Sequence, residues 1–212
     1  MIKSLFNTKS SKDKTEKTII VVSGLPRSGT SMMMKMLSEG GVPILTDSIR
    51  SADNDNPNGY YELEVAKKLT EGQFQWLNDA NQKAVKVISA LLEHLPAGYR
   101  YKIIFMERQP EEILASQRKM LAHRNEKSEI SDAEMQKQFK EHLVAVKYWL
   151  ARQPNMEVLY VDYNKMMANP DLYCQPIADF ISIPVDVSKM RSVPNAGLYR
   201  NRVGDSTGTP AS

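Results

Sequence analysis

The apolar positions of this 212-residue chain fall into short runs separated by segments of helical period. Residues 18–23 (TIIVVS), 83–89 (KAVKVIS), 101–106 (YKIIFM) and 156–161 (MEVLYV) are brief, rich in β-branched or aromatic residues, and bounded by turn signals. Such runs predict buried strands. A fifth, shorter strand is expected at 42–46. Residues 32–37 begin a helix that Gly40 and Gly41 end. Leu63, Ala66, Leu69, Phe74 and Leu77 mark the apolar side of a helix over 62–77. Pro110 suits the first position of a helix over 110–124, with Glu111 and Glu112 in its first turn. Ser131 and Glu134 form a capping box, and Met135, Phe139, Leu143, Val146 and Leu150 line one face of the helix behind it. Residues 171–183 give a last helix. Strands that alternate with helices predict an α/β domain, its parallel sheet covered on both faces. The domain is expected over 18–203, between a polar leader at 1–17 and a small polar tail at 204–212.

The first strand, the loop after it and the next helix carry the chemistry. Gly24-Leu25-Pro26-Arg27-Ser28-Gly29-Thr30-Ser31 keeps the two glycines of the nucleotide P-loop, G-x-x-x-x-G-K-[ST]. Backbone N–H groups and the positive end of the helix both face an anion in such a loop. Thr30 stands where the P-loop lysine would reach the outer phosphates, and Arg27 supplies a positive charge from inside the loop. A kinase or triphosphatase depends on that lysine; a shorter 5′ anion does not. The competing reading is a plain strand–turn–helix.

Lys86 interrupts an apolar strand. It must face solvent or a site, because burying it unpaired is costly. The carboxyl edge of a parallel strand favours the site. Residues 47–61, DSIRSADNDNPNGYY, make a long polar connection of the kind that is often functional. Met32, Met33, Met34 and Met36 read as core packing. His94 reads as a helix-end residue, and His123 and His142 as packing or surface residues. His123 has no visible carboxylate or cysteine partner, and no metal site is expected.

Pro26 to Ser31 resembles the 5′-phosphosulfate-binding loop of the sulfotransferases, which use 3′-phosphoadenosine 5′-phosphosulfate. A second element agrees. In that family an arginine at the end of a later strand and a serine eight residues on grip the 3′-phosphate; Arg108 and Ser116 have that spacing. Alone, Ser116 reads equally as a small packing residue. The resemblance runs from residue 18 to about 202 and suggests a soluble member of bacterial type. It implies a P-loop NTPase-like sulfotransferase fold, with a central, mainly parallel five-stranded sheet flanked by helices. It also implies transfer of a sulfuryl group to a hydroxyl or amine by in-line displacement, leaving adenosine 3′,5′-bisphosphate.

On that resemblance Arg27, Ser28, Gly29, Thr30 and Ser31 take the 5′ end of the cofactor and Arg108 and Ser116 the 3′ end. Arg200 and Arg202 loosely match a late arginine loop that closes over the 3′-phosphate; the other reading is an exposed basic turn. The family's Lys-Thr-His triplet stands here as Lys86-Val87-Ile88, so the lysine is kept and the catalytic histidine is absent. Asn56-Pro57-Asn58-Gly59-Tyr60-Tyr61-Glu62 resembles a segment of bacterial sulfotransferase-like proteins, and Glu62 is the expected base, with Asp47 in reserve. Arg27 and Lys86 are the expected stabilisers of the leaving oxygen. Tyr60, Tyr61, Phe74 and Trp76 either line an acceptor pocket or belong to the core.

Composition narrows the partners. A net charge of +3 does not call for nucleic acid. Cys174 is the only cysteine, so no disulfide forms within the chain. No apolar run approaches a membrane span and no secretory signal is visible. The expectation is a soluble cytoplasmic enzyme with a small-molecule or glycan-like acceptor. A nucleotide kinase or triphosphatase with a degenerate loop, and a non-catalytic binder of the bisphosphate nucleotide, are the alternatives.

Overall fold

The structure, a computed structural model, describes residues 17–47, 49, 59–126, 128 and 130–194. Its sheet has four strands: β1 (Thr18–Gly24), β2 (Ala84–Lys86), β3 (Arg100–Glu107) and β4 (Met156–Asp162). They lie in the order β2-β1-β3-β4, and every pairing is parallel. The helices are α1 (Thr30–Glu39), α2 (Pro110–His123), α3 (Asp132–Leu150), α4 (Tyr163–Ala168), α5 (Asp171–Ile181) and α6 (Val187–Arg191). Short 3-10 helices span Glu64–Glu71, Gln75–Asp79 and Ser89–His94.

The strands are apolar on both sides because both faces of the sheet are covered. Ile20 and Val22 of β1, with Ile104 and Met106 of β3, pack into one core under α1, α4, α5 and α6. Ile19 and Val21, with Tyr101, Ile103 and Phe105, pack into the other under the 3-10 helices and α3. Helix α1 gives the first core Met32, Met33, Met34, Met36 and Leu37, all buried. The unbranched thioethers fill the irregular space between sheet and helices.

Three expectations are corrected. The sheet has four strands among the described residues, not five. The stretch expected as the extra strand makes a single parallel bridge, Ile44 to Ala84. Leu45 N donates to Ala84 O and Ala84 N to Pro43 O, both at 2.8 Å. Pro43 has no N–H to extend that ladder. The expected helix over 62–77 is two 3-10 pieces, because Gly72 closes the first at φ 74°. The expected strand over 83–89 is cut to three residues, since the chain turns into a 3-10 helix at Ser89.

Register fixes what stands at the carboxyl edge. Val22 pairs with Lys86, and Gly24 with Met106. The loop after β1 therefore leaves the sheet between Lys86, at the end of β2, and Arg108, two residues beyond Met106. Ligands of open α/β sheets bind at this edge. No helix of the described residues is long and apolar enough to cross a membrane.

Met36 tests the core assignment. Met36→Ala is expected to cost about 2–5 kcal/mol, the usual range for truncating a large buried side chain, read from urea unfolding. A cost under about 0.5 kcal/mol, the scale of surface changes, would contradict it.

Candidate functional site: a glycine-bounded loop between two charged clusters

The loop at residues 25–29 is tight. Ser28 N donates to Leu25 O at 3.2 Å, and Met33 N to Gly29 O at 3.1 Å as α1 begins. Gly29 caps the helix at φ 98°, in the left-handed region. A Cβ there would stand 2.4 Å from the Tyr163 ring, and one at Gly24 would stand 2.6 Å from Met106 O. Both glycines are therefore required by backbone angle and by space. Arg27 also has a positive φ, 68°, which few non-glycine residues adopt.

Ser28 is 1% exposed, and its hydroxyl has no hydrogen-bond partner among the described residues. A buried polar atom without a partner is rare and asks for an explanation. An anion seated in the loop supplies one. A tight loop held in place by two glycines, a helix N-terminus and an orphaned hydroxyl together fit the phosphate end of a nucleotide.

On the β3 side, Arg27 Nε donates to Ser116 Oγ at 2.9 Å. Arg108 Nη1 donates to Arg27 O at 3.1 Å. Arg108 Nε in turn donates to Glu112 Oε2 at 3.0 Å, and Asn164 Nδ2 to Glu112 Oε1 at 2.8 Å. Arg108, Glu112 and Ser116 recur at four-residue spacing, so the two residues on α2 share one face. The Arg108–Glu112 ion pair is inside the protein, with side chains 7% and 2% exposed. The Arg108 guanidinium also lies over the Tyr163 ring, 4.5 Å from its centre. Burial pushes the Tyr163 phenol above its ordinary pKa, and the positive charge of Arg108 opposes that rise. The phenol stays neutral beneath the cation.

On the β2 side, Lys86 Nζ donates to Tyr60 O at 2.5 Å and to Ser31 Oγ at 3.3 Å. Glu62 Oε1 is 3.6 Å from the same ammonium. The other carboxylate oxygen, Oε2, accepts from Lys67 Nζ at 2.9 Å. The Glu62 backbone is fixed as well, since its carbonyl accepts from Thr46 Oγ1 at 2.7 Å and Asp47 N at 3.3 Å. Lys67 is bound also by Glu64, whose hydrogen bond is the main reason its pKa is raised.

The expected site residues thus gather in two clusters joined by the loop. Arg27, Arg108 and Ser116 form one; Ser31, Lys86 and Glu62 form the other. Ser28, Gly29 and Thr30 lie between them. Arg200 and Arg202 fall outside the described residues. Asp47 is occupied differently: its carboxylate accepts from Glu64 N at 2.6 Å and Ile49 N at 3.1 Å. Those N–H groups, Glu64 first, hold its pKa below the usual carboxylate value. It closes the stem of the long connection and makes a weak base.

The profile of the sulfotransferase domain family matches residues 17–196. The chain belongs to the sulfotransferase domain family. Solved sulfotransferases share the fold at low identity. One from Mycobacterium tuberculosis aligns with a TM-score of 0.56 at 15% identity, over 85% of this chain and 72% of that one. The sulfotransferase domain of the Synechococcus PCC 7002 olefin synthase gives 0.50 at 12%, over 93% and 90%. A mouse sulfotransferase complexed with PAP gives 0.53 at 18%, over 83% and 61%. No curated protein matches the sequence.

Several residues that the structure brings to these two clusters carry no strong signal in the sequence. Glu112 looks in sequence like an ordinary acid of a first helical turn, and its four-residue offset from Arg108 is the one signal of the pairing. Tyr163 and Asn164 sit in a stretch that read as structural, and only the fold brings α4 under the loop. Lys67 gave no signal. His142 does more than pack: its Nε2 lies 2.8 Å from Ser89 Oγ, tying α3 to the 3-10 helix beyond β2. Ile88, at the place of the family histidine, is 40% exposed.

Proposed function

We propose that this sulfotransferase moves a sulfuryl group from 3′-phosphoadenosine 5′-phosphosulfate to a hydroxyl or amine of a small-molecule or glycan-like acceptor. The observation that carries the reading is the convergence of Arg27, Arg108 and Ser116 beside a glycine loop with an orphaned, buried Ser28 hydroxyl. Two positive groups and two hydroxyls gathered there suit a nucleotide with anions at two positions.

The backbone N–H groups at the start of α1, with Ser28, Thr30 and Ser31, hold the 5′-phosphate. Arg108 offers a planar donor fork to the 3′-phosphate, and Ser116 a hydroxyl from the facing helix. The bound cofactor supplies the sulfuryl group and a phosphate oxygen on which negative charge grows as the sulfur–oxygen bond breaks. Arg27 and Lys86 are fixed in place before that charge appears, which is what makes such groups effective. Glu62 takes the proton from the acceptor. Its carboxylate lies beside Lys86, so the proton acceptor and the ammonium at the leaving side are neighbours.

Two substitutions test these roles. Arg108→Ala is expected to weaken adenosine 3′,5′-bisphosphate by roughly 10- to 100-fold in calorimetry, since one charge-assisted contact is lost. Equal affinity would remove Arg108 from the 3′-phosphate site. Glu62→Gln is expected to lower turnover by about 10²- to 10⁴-fold, the usual worth of a general base, with nucleotide affinity retained. Acceptor turnover close to wild type across the pH range would remove Glu62 from the role.

A further inference from the structure

Glu62 stands between two ammonium groups that come from different elements. Lys86, at the end of β2, faces its Oε1 at 3.6 Å. Lys67, in the 3-10 helix Glu64–Glu71, donates to its Oε2 at 2.9 Å. The two lysines differ in setting, for the Lys86 side chain is 10% exposed and that of Lys67 52%. Lys67 nevertheless has a fixed place. Glu64 Oε1 accepts from the same Nζ at 2.6 Å, and Glu64 N donates to Asp47 Oδ2 at 2.6 Å. Asp47 N donates in turn to the Glu62 carbonyl at 3.3 Å. Asp47, Glu64, Lys67 and Glu62 thus close a ring of hydrogen bonds across the stem of the long connection. Lys67 and Asp47 keep their charges at neutral pH. The hydrogen bond to Glu64, ahead of that to Glu62, raises the pKa of Lys67, and backbone N–H groups, Glu64 first, lower that of Asp47. Ion pairs as exposed as these add little stability. What the ring fixes is the direction of the Glu62 carboxylate.

Resting on the reading of Glu62 as the base, we propose that Lys67 is its positioning residue: it holds Oε2 and so keeps Oε1 turned toward Lys86, the side on which the sulfuryl group moves. A carboxylate has about four lone-pair sites. The bond from Lys67 therefore leaves capacity for the proton of the acceptor. A neighbouring cation also favours the ionised form, which is the form that takes a proton. Among the described residues, the charged groups set around Glu62 are Lys86 from β2 and Lys67 from the 3-10 helix, with Glu64 and Asp47 behind Lys67. The two lysines favour the ionised carboxylate, and the two acids behind Lys67 oppose them. A second cation makes the carboxylate a weaker base as well. Lys67 exchanges some basicity for a fixed direction and a carboxylate ionised at neutral pH.

The test reads the carboxylate itself and then the reaction. Protein labelled with carbon-13 at its glutamate carboxyls is titrated by NMR, the Glu62 signal being the one that Glu62→Gln removes. Lys67→Met, uncharged and of similar length, is expected to move the midpoint of that signal to higher pH, because a cation that favours the ionised form is gone. Lys67→Arg, which keeps the charge, is expected to leave it close to wild type. Turnover is followed as adenosine 3′,5′-bisphosphate released from 3′-phosphoadenosine 5′-phosphosulfate, with benzyl alcohol as the acceptor probe. Lys67→Met is expected to lower kcat by roughly three- to tenfold, the worth of one hydrogen bond, with the KM for the sulfuryl donor unchanged. Lys67→Arg is expected to restore most of that loss, and Lys67→Met to add none in a Glu62→Gln background. Melting curves check the fold, and a half-exposed lysine is expected to move them little. An unmoved midpoint in Lys67→Met would overturn the proposal and leave Glu62 standing as the base. A moved midpoint with kcat unchanged would also overturn it, since the ion pair would then position nothing. Wild-type turnover in Glu62→Gln would overturn the base, and the role of Lys67 with it.

Discussion

The loop depends on the meeting of Gly29 with the Tyr163 ring. A single added carbon would collide with that ring, and the same ring carries the Arg108 guanidinium on its surface. The aromatic side chain thus sets the height of the loop and the plane of the cation together. Gly24 meets β3 in the same way, against Met106 O. Pressed on both sides, the loop has one path from β1 to α1, and its N–H groups have one direction. Pre-organisation of this kind spares the ordering cost that a flexible loop would pay on binding.

Arranging cations at a site without burying unpaired charge needs counter-groups. Glu112 plays that part for Arg108 inside the protein, and Glu62 for Lys86 nearer solvent. Losing one member of a buried pair costs about 3–5 kcal/mol, because the survivor keeps its desolvation penalty. The carboxylates therefore do two things. They let the cations exist in the fold, and they fix the direction in which each cation presents its remaining donors. Lys86 shows the result: it reaches the carbonyl of Tyr60 and the hydroxyl of Ser31 at the start of α1 from the end of a neighbouring strand.

Much of this was legible in the chain. The loop between Gly24 and Ser31, the lysine of β2 and the Arg108–Ser116 spacing all lie within single local patterns, and local patterns survive folding. The parts that were not legible depend on pairing across the fold. Tyr163 comes beneath the loop only because β4 runs beside β3 and α4 follows it. Lys67 reaches Glu62 because Glu62 stands outside the 3-10 helix that begins at Glu64, whereas residues five apart in one continuous α-helix do not face each other. That residues 42–46 form a single bridge and not a strand has a local cause, Pro43, whose lack of an N–H stops a ladder that apolar composition alone invites. The absence of the family histidine was readable, whereas the ionic setting of Glu62 between two lysines was not.

On the proposed function, the two clusters form one nucleotide site with phosphate positions at both ends. The most direct measurement compares thermal stabilisation by adenosine 3′,5′-bisphosphate, by adenosine 5′-phosphate and by ATP with magnesium, since a ligand that binds only the folded state raises its stability in proportion to affinity. Such a site gives the largest shift with the bisphosphate, without metal. A shift with ATP and magnesium alone would contradict it, and would mean that the loop takes a triphosphate despite lacking the P-loop lysine.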